Sequence, residues 1–144
     1  AILKYLSDEY GFGGSSAVEK AKVLATTLQV SDFVSDYMQW HVVAAGFGPG
    51  DIDNLYKTVF LPARDRHYAF FQKMLKENPS GFLVGDSLTY ADLMLASINE
   101  IIYTICHKRD HLYEGFPEIK EHYDKVYSHP LLEKHMATRP NYRF

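Results

Sequence analysis

Two histidines four positions apart, His107 and His111, are the first candidates for metal ligands in this sequence. On a helix this spacing places both imidazoles on one face, and imidazole is a common zinc ligand. The predicted helix ends at this point, however, and no glutamate or other third ligand lies in register. The sequence therefore predicts no metal site.

A short acidic cluster, Asp51, Asp53 and Asn54, can be compared with a calcium-binding loop. It lacks the glycine and the twelfth-position glutamate of such a loop, so we predict that Asp51 caps a helix instead.

Cys106, the single cysteine, is predicted to be a small buried hydrophobic residue. No nucleophile elbow, phosphate-binding loop or dinucleotide fingerprint is present, and no catalytic residue is predicted in this chain.

The segment GDSLTYADLMLASI carries the signal of a helix start. Thr89 can accept a hydrogen bond from the backbone N–H of Asp92, and the Asp92 carboxylate can accept one from the N–H of Thr89. Leu88 and Leu93 occupy the positions of a hydrophobic staple. Apolar residues surround the helix that follows, so we predict that it is the buried central helix of the fold. Thr89 and Asp92 are thus structural capping residues.

Composition limits the classes of function. The chain has 144 residues, the length of one domain, with 47% hydrophobic and 23% charged residues. Its net charge of −3 is unlike that of proteins that bind nucleic acid or anionic membranes. One cysteine excludes an internal disulfide scaffold, and no apolar run approaches the ~20 residues of a membrane helix. We predict a cytoplasmic protein.

The elements that position these residues are predicted to be helices separated by glycine and proline. The predicted fold class is all-α, a bundle of about five helices around the helix that starts at Thr89. A long helix begins at Ser15 or Ser16, a second one is kinked by Pro62, and shorter ones begin at Pro117 and Pro130. A further helix over residues 1–10 has an end at the following glycines but no N-terminal cap. Its apolar face is expected to belong to a preceding domain.

Four segments together resemble a sigma-class glutathione transferase of the type found in nematodes and other invertebrates. They are AILKYLSDEYGFGG, GFGPGD with VFLPARDR, GFLVGDSLTYADLMLA, and GFPEIKEHYDKVYSHPLLEKHMATRP. They stand in the family's order and cover essentially the whole chain. The resemblance implies that residues 1–14 are the last helix and linker of a thioredoxin-like domain, and that residues 15–144 are the all-helical C-terminal domain. The thioredoxin-like domain, with its catalytic tyrosine, would be largely missing, so this fragment alone is expected to be inactive.

The resemblance also implies a set of binding residues. Asp32 matches the position that reaches across the dimer to the γ-glutamyl ammonium of glutathione, with Asp36 one turn further on. Ser31 stands where prostaglandin-isomerising relatives carry a second acid, which argues against that activity. The wall of the hydrophobic electrophile pocket would be formed by residues of two helices and the C-terminus: Val34, Met38, His41, Met94, Ile98 and Phe144. The alternative is that these side chains belong to the core, which suits Ile98 equally well.

The implied function is conjugation of the glutathione thiolate to hydrophobic electrophiles, in detoxification, with glutathione as co-substrate and no other cofactor. The resemblance implies a homodimer in which the long helix and the kinked helix, through Phe60, Pro62 and Arg66, face the partner. The alternative for these residues is a place in the core of the subunit, which suits Phe60 equally well. The alternative is a non-catalytic binding or structural relative, such as a lens crystallin. Neither function involves a nucleic acid or a membrane.

Overall fold

The computed structural model describes residues 1–106 and 111–140, and every regular element within these ranges is helical. The α-helices are α1 (Ile2–Tyr10), α2 (Ala17–Ala44), α3 (Ile52–Leu55), α4 (Leu61–Glu77), α5 (Tyr90–Ile105), α6 (Pro117–Tyr127) and α7 (Glu133–Thr138). A π-helical turn over Tyr56–Phe60 joins α3 to α4, and a 3₁₀ turn over Pro130–Leu132 precedes α7. The all-α prediction is confirmed for the described residues. None of their helices combines the length and the apolar composition that a membrane span requires.

Both serines that were predicted to start the long helix α2 make hydrogen bonds at its N-terminus. The Ser16 side chain accepts a hydrogen bond from the N–H of Glu19 (3.1 Å). The Glu19 carboxylate in turn accepts one from the N–H of Ser15 (2.8 Å). The first bond satisfies a backbone donor that the first turn of a helix leaves without a partner, and the second fixes the residue that precedes the cap.

The predicted kink near Pro62 takes the form of a π-helical turn. In this turn the N–H of Leu61 donates to the carbonyl of Tyr56, five residues earlier. Proline has no N–H to donate and its ring crowds the preceding turn, so a wider turn directly ahead of it relieves the conflict. Asp51 caps α3 as predicted, because its carboxylate accepts a hydrogen bond from the N–H of Asn54 (2.9 Å).

The main hydrophobic core lies around α5, which packs against α1, α2 and α6. The prediction that this helix is central is therefore confirmed. An aromatic group from α2 and the π-helical turn fills one end of the core, where the Trp40 and Phe60 rings lie 4.3 Å apart. Phe60 is completely buried there. Cys106, which caps the C-terminus of α5, is also buried, as predicted.

Helix α1 ends as the sequence predicts and leaves an apolar surface uncovered. Gly11 closes it with a left-handed backbone (φ 79°), a conformation that costs glycine little. Ser7 is the buried residue of this helix, whereas Ile2 (78%) and Tyr10 (73%) are largely exposed. The assignment of this surface to a preceding domain stays a prediction.

Candidate functional site

The start of α5 is held by the carboxylate of Asp92, a completely buried side chain. One oxygen accepts hydrogen bonds from the N–H and the hydroxyl of Thr89, at 2.8 and 2.7 Å. The other accepts from the N–H of Leu83 (2.7 Å) and from Nε2 of His122 (2.9 Å). The predicted capping box is therefore confirmed, and it is part of a larger buried network that joins the 78–89 loop, α5 and α6.

The linker after α1 is fixed to the same helix start. The N–H of Tyr90, in the first turn of α5, donates to the carbonyl of Phe12 (3.0 Å). Since a helix leaves its first N–H groups without internal partners, the linker satisfies one of them. The orientation of α1 relative to α5 is thereby set by a backbone contact.

Three residues of the predicted electrophile wall lie at the edge of the main core. Val34 on α2, and Met94 and Ile98 on α5, are half-buried and pack against this core. Helices α2 and α5 also pack against each other. The structure thus places these three side chains on neighbouring helices, each with part of its surface accessible.

His41 lies one turn beyond Met38 on α2 and is half-buried. Its ring centre is 6.0 Å from that of Tyr37, and its Nδ1 is buried without a hydrogen-bond partner among the described residues. Burial lowers the pKa of His41, because an apolar environment disfavours the charged imidazolium. The buried Nδ1 atom therefore has hydrogen-bonding capacity to offer.

Met38 is more exposed (40%) than the other described residues of the predicted wall. It lines a cavity of about 470 Å³ between the C-terminal half of α2 and residues 48–55. Val42 and Leu55 line the same cavity. Sequence reasoning missed these two residues. The contact that creates the cavity depends on how the 46–51 loop folds back on α2.

The two aspartates on α2 have different environments. Asp36 forms an ion pair with Arg66 and lies 2.6 Å from Nε2 of the buried His67, both on α4. The hydrogen bond with His67, reinforced by Arg66, holds the pKa of Asp36 below its ordinary value. Asp32 is exposed and makes no hydrogen bond or ion pair with the described residues. Only Asp32 of the two therefore presents an uncommitted carboxylate.

Phe144 of the predicted electrophile wall lies outside the described residues. So does His107, which was considered above as a metal ligand. His111 lies within them and contacts Glu114 through Nδ1 (2.9 Å). In the described part of the chain, no group of three or more His, Cys, Asp or Glu side chains is arranged to hold a metal ion.

Comparison with known proteins identifies this arrangement of helices. The family described as "Glutathione S-transferase, C-terminal domain" matches residues 52–139. Probable glutathione S-transferase 6 of Caenorhabditis elegans is 39% identical over 144 residues, covering the whole chain and 68% of the relative. The chain belongs to the glutathione S-transferase family.

Other members of the glutathione S-transferase family agree with this assignment. Probable glutathione S-transferase 7 of C. elegans is 39% identical over 97% of this chain, which spans 66% of that relative's length. A Nu-class GST from Haemonchus contortus has 43% identity and a TM-score of 0.86, over 99% of this chain and 68% of its own. A monomeric glutathione S-transferase from the hookworm Necator americanus has 42% identity and a TM-score of 0.90, over 98% and 67%. The predicted resemblance to nematode glutathione transferases is confirmed.

The burial of Phe60 in this glutathione S-transferase chain contradicts the prediction that it faces a partner subunit. Phe60 is completely enclosed in the core beside Trp40, so its side chain is not available to a partner subunit. The physical reason is that the π-helical turn rotates Phe60 towards α2. Pro62 and Arg66 remain at the surface, although Arg66 is paired with Asp36.

Proposed function

We propose that the protein is a glutathione transferase that conjugates the thiolate of glutathione to hydrophobic electrophiles. In such a step the sulfur forms a bond to the electrophilic carbon, and a leaving group departs or a double bond is saturated. The observation that carries the proposal is family membership along the length of the chain, at 39% identity to named glutathione S-transferases. Glutathione acts as co-substrate, no other cofactor takes part, and the activity serves detoxification in the cytoplasm.

The proposed organisation places residues 1–14 at the end of a thioredoxin-like domain and residues 15–144 in the helical domain. Two observations support it. The chain spans 66–68% of the length of the two C. elegans relatives, and α1 exposes an apolar surface that includes Ile2, Tyr5 and Tyr10. Apolar surface of this extent on one short helix favours a covering domain. The catalytic tyrosine would lie in that domain, so the fragment alone is proposed to be inactive.

Asp32 is proposed to bind the γ-glutamyl ammonium of glutathione in the neighbouring subunit. The support is its exposed, uncommitted carboxylate, in contrast to Asp36, which is held by Arg66 and His67. A carboxylate that accepts a hydrogen bond from an ammonium group makes a charge-assisted bond, which is stronger than a neutral one.

The electrophile wall is proposed to consist of Val34, Met38, His41, Met94 and Ile98, with Phe144 closing it. The partial burial of the described members fits an apolar surface that a second substrate completes. Thioethers adapt to varied shapes, and His41 supplies one polar point, so the enzyme should accept a broad range of flat apolar electrophiles.

In the full-length protein, Met38→Ala or deletion of Phe144 should lower activity towards a bulky aromatic electrophile. The KM for glutathione should stay nearly constant.

A homodimer is proposed in which α2 and α4 face the partner. Leu24 and Leu28, one turn apart on α2, and Phe70 on α4 are exposed apolar residues that such a contact would cover. Sedimentation of the full-length protein at micromolar concentration should show a dimer. A strictly monomeric protein, as in the hookworm relative named monomeric, would refute this part of the proposal.

The activity itself is tested with the full-length protein, glutathione and a chromogenic aryl halide. We expect conjugation that saturates with both substrates and that the helical fragment alone does not catalyse. Saturable glutathione binding without turnover of any aryl halide, enal or hydroperoxide would instead indicate a non-catalytic relative.

A further inference from the structure

We propose that Gln29 is a second acceptor for the γ-glutamyl ammonium of glutathione, and that His67 is the positioning residue that orients its amide group. This inference rests on the proposed function and deepens it, because it adds two residues to the site in which Asp32 takes part. It is carried by a chain of hydrogen bonds between α2 and α4 that fixes which side of the Gln29 amide faces outwards.

The centre of this chain is the imidazole of His67, which lies on α4 and is almost completely buried (3% exposed). Its Nε2 lies 2.6 Å from Oδ2 of Asp36, and its Nδ1 lies 2.9 Å from Nε2 of Gln29. The ring of Phe33 packs beside it, with ring centres 5.2 Å apart. One buried ring therefore holds two side chains of α2 that are seven residues apart.

The chemistry of the two ends gives each hydrogen bond its direction. The hydrogen bond with His67, reinforced by Arg66, holds the pKa of Asp36 below its ordinary value, so this carboxylate accepts and His67 Nε2 carries the proton. A neutral ring with its proton on Nε2 is an acceptor at Nδ1, and the amide NH₂ group of Gln29 faces that atom. The amide oxygen Oε1 is thereby turned away from the ring, and it makes no hydrogen bond with the described residues.

Gln29 and Asp32 are neighbours on one face of α2. Side chains three residues apart on a helix share a face, with about 5–6 Å between their Cβ atoms. Asp36 lies one turn beyond Asp32 on this face, but it is committed to Arg66 and His67. Gln29 also lines a cavity of about 850 Å³ between α2, α4 and residues 78–86, so its half-buried side chain is accessible from outside.

A primary ammonium group suits the pair of acceptors that Gln29 and Asp32 present. It carries three N–H donors and no acceptor, so the carboxylate of Asp32 alone leaves donors to be satisfied. The oxygen of Gln29 can accept one of them in a charge-assisted bond, without placing a second negative charge beside Asp32. His67 acts through Gln29, because it holds the NH₂ group and so keeps Oε1 directed outwards.

The test compares two thiol substrates of the full-length protein: glutathione, and its analogue that lacks the γ-glutamyl amino group. Initial rates with a chromogenic aryl halide give KM and kcat for each thiol. Gln29→Met should raise the KM for glutathione roughly fivefold, because a bond to a charged donor is lost. It should leave the KM for the analogue and both kcat values unchanged, because the ammonium takes no part in the attack by sulfur.

His67→Phe keeps an aromatic ring beside Phe33 and tests the positioning role. It should raise the KM for glutathione by less than Gln29→Met does, again without changing the KM for the analogue. Added to Gln29→Met, it should raise the KM no further, because His67 acts through Gln29. Gln72→Met is the matched control on α4, where Gln72 contacts Glu118, and it should leave every constant unchanged.

The analogue separates a binding role from a structural one. Equal rises in KM for both thiols, or a KM for glutathione that Gln29→Met leaves unchanged, would overturn the role of Gln29 while the proposed function stands. Additive effects of His67→Phe and Gln29→Met would overturn the positioning role, and His67→Leu replaces His67→Phe if that variant does not fold. A folded wild-type protein that turns over neither thiol would overturn the proposed function, and this inference with it.

Discussion

His122 Nε2 lies 2.9 Å from Oδ1 of Asp92, across 30 residues of sequence, and both side chains are completely shielded from solvent. The imidazole supplies one of four hydrogen bonds to this carboxylate, and Thr89 and Leu83 supply the others. All acceptor sites of the buried anion are thereby used, which is the condition under which a buried carboxylate is tolerated. The contact ties α6 to the start of the central helix.

Asp92→Ala should be strongly destabilising. It removes the cap and leaves buried donors of Leu83, Thr89 and His122 without acceptors, for which we expect a loss of roughly 3–5 kcal/mol in the free energy of unfolding. Urea unfolding of the full-length protein measures this loss of stability. Asp124→Ala, at an exposed position of α6, is the control and should change stability by less than about 0.5 kcal/mol. Similar urea midpoints for the two variants would contradict the claim that the Asp92 network stabilises the fold.

A double-mutant cycle isolates the contact between His122 and Asp92. His122→Leu and Asp92→Ala should be non-additive by at least about 1 kcal/mol, because either change alone already breaks the shared network. Denaturant unfolding of the wild type, both single variants and the double variant gives the coupling. Additivity within experimental error would mean that the two side chains stabilise the fold independently.

Part of this network was predictable from sequence, and part was not. Thr89 and Asp92 are three residues apart, and local hydrogen bonding at a helix start follows from residue type and spacing. The contact with His122 depends on how α6 packs on α5, and nothing local to His122 encodes it. The same distinction explains Phe60, whose apolar character suited either a core or an interface until the π-helical turn fixed its direction.

The two aspartates of α2 show a similar limit. Spacing alone could not separate the uncommitted Asp32 from Asp36, because the partners of Asp36, Arg66 and His67, come from α4, about 30 residues further along the chain. The cavity beside Met38 was also beyond sequence reasoning. Its far wall is a glycine-containing loop whose approach to α2 is a tertiary contact.

Asp32→Asn should raise the KM for glutathione by roughly tenfold in the full-length protein, since a charge-assisted bond is lost. Asp36→Asn is the matched control one turn away. It removes the partner of His67 and Arg66 and should lower the thermal stability while leaving the KM nearly unchanged. Initial rates at varied glutathione concentration decide between them. Equal effects on KM from the two variants, or none, would reject the assignment of Asp32.

Acid should weaken the attachment of the C-terminal helix through Glu100. Hydrogen bonds from Arg139 (2.9 Å) and Tyr127 (2.5 Å) hold the pKa of Glu100 below its ordinary value of 4.5. A lowered carboxylate pKa means that the pair stabilises the folded state above the unfolded value and that this contribution is lost as pH falls through the folded value.

The free energy of unfolding should therefore fall below about pH 5, and Glu100→Gln should reduce that fall. Urea titrations between about pH 7 and pH 3 measure the dependence. Glu9→Gln, at an exposed position of α1, is the control and should keep the slope of the wild type. If the free energy of unfolding depends on pH in the same way for Glu100→Gln and the wild type, the proposed attachment of the C-terminal helix through Glu100 is wrong.

The most direct test of the central claim is retention of the full-length protein on immobilised glutathione, with elution by free glutathione. We predict that the wild type and Asp36→Asn are retained and eluted specifically, and that Asp32→Asn passes through or elutes early. A wild-type protein that flows through the column while folded would contradict the assignment of glutathione as its substrate.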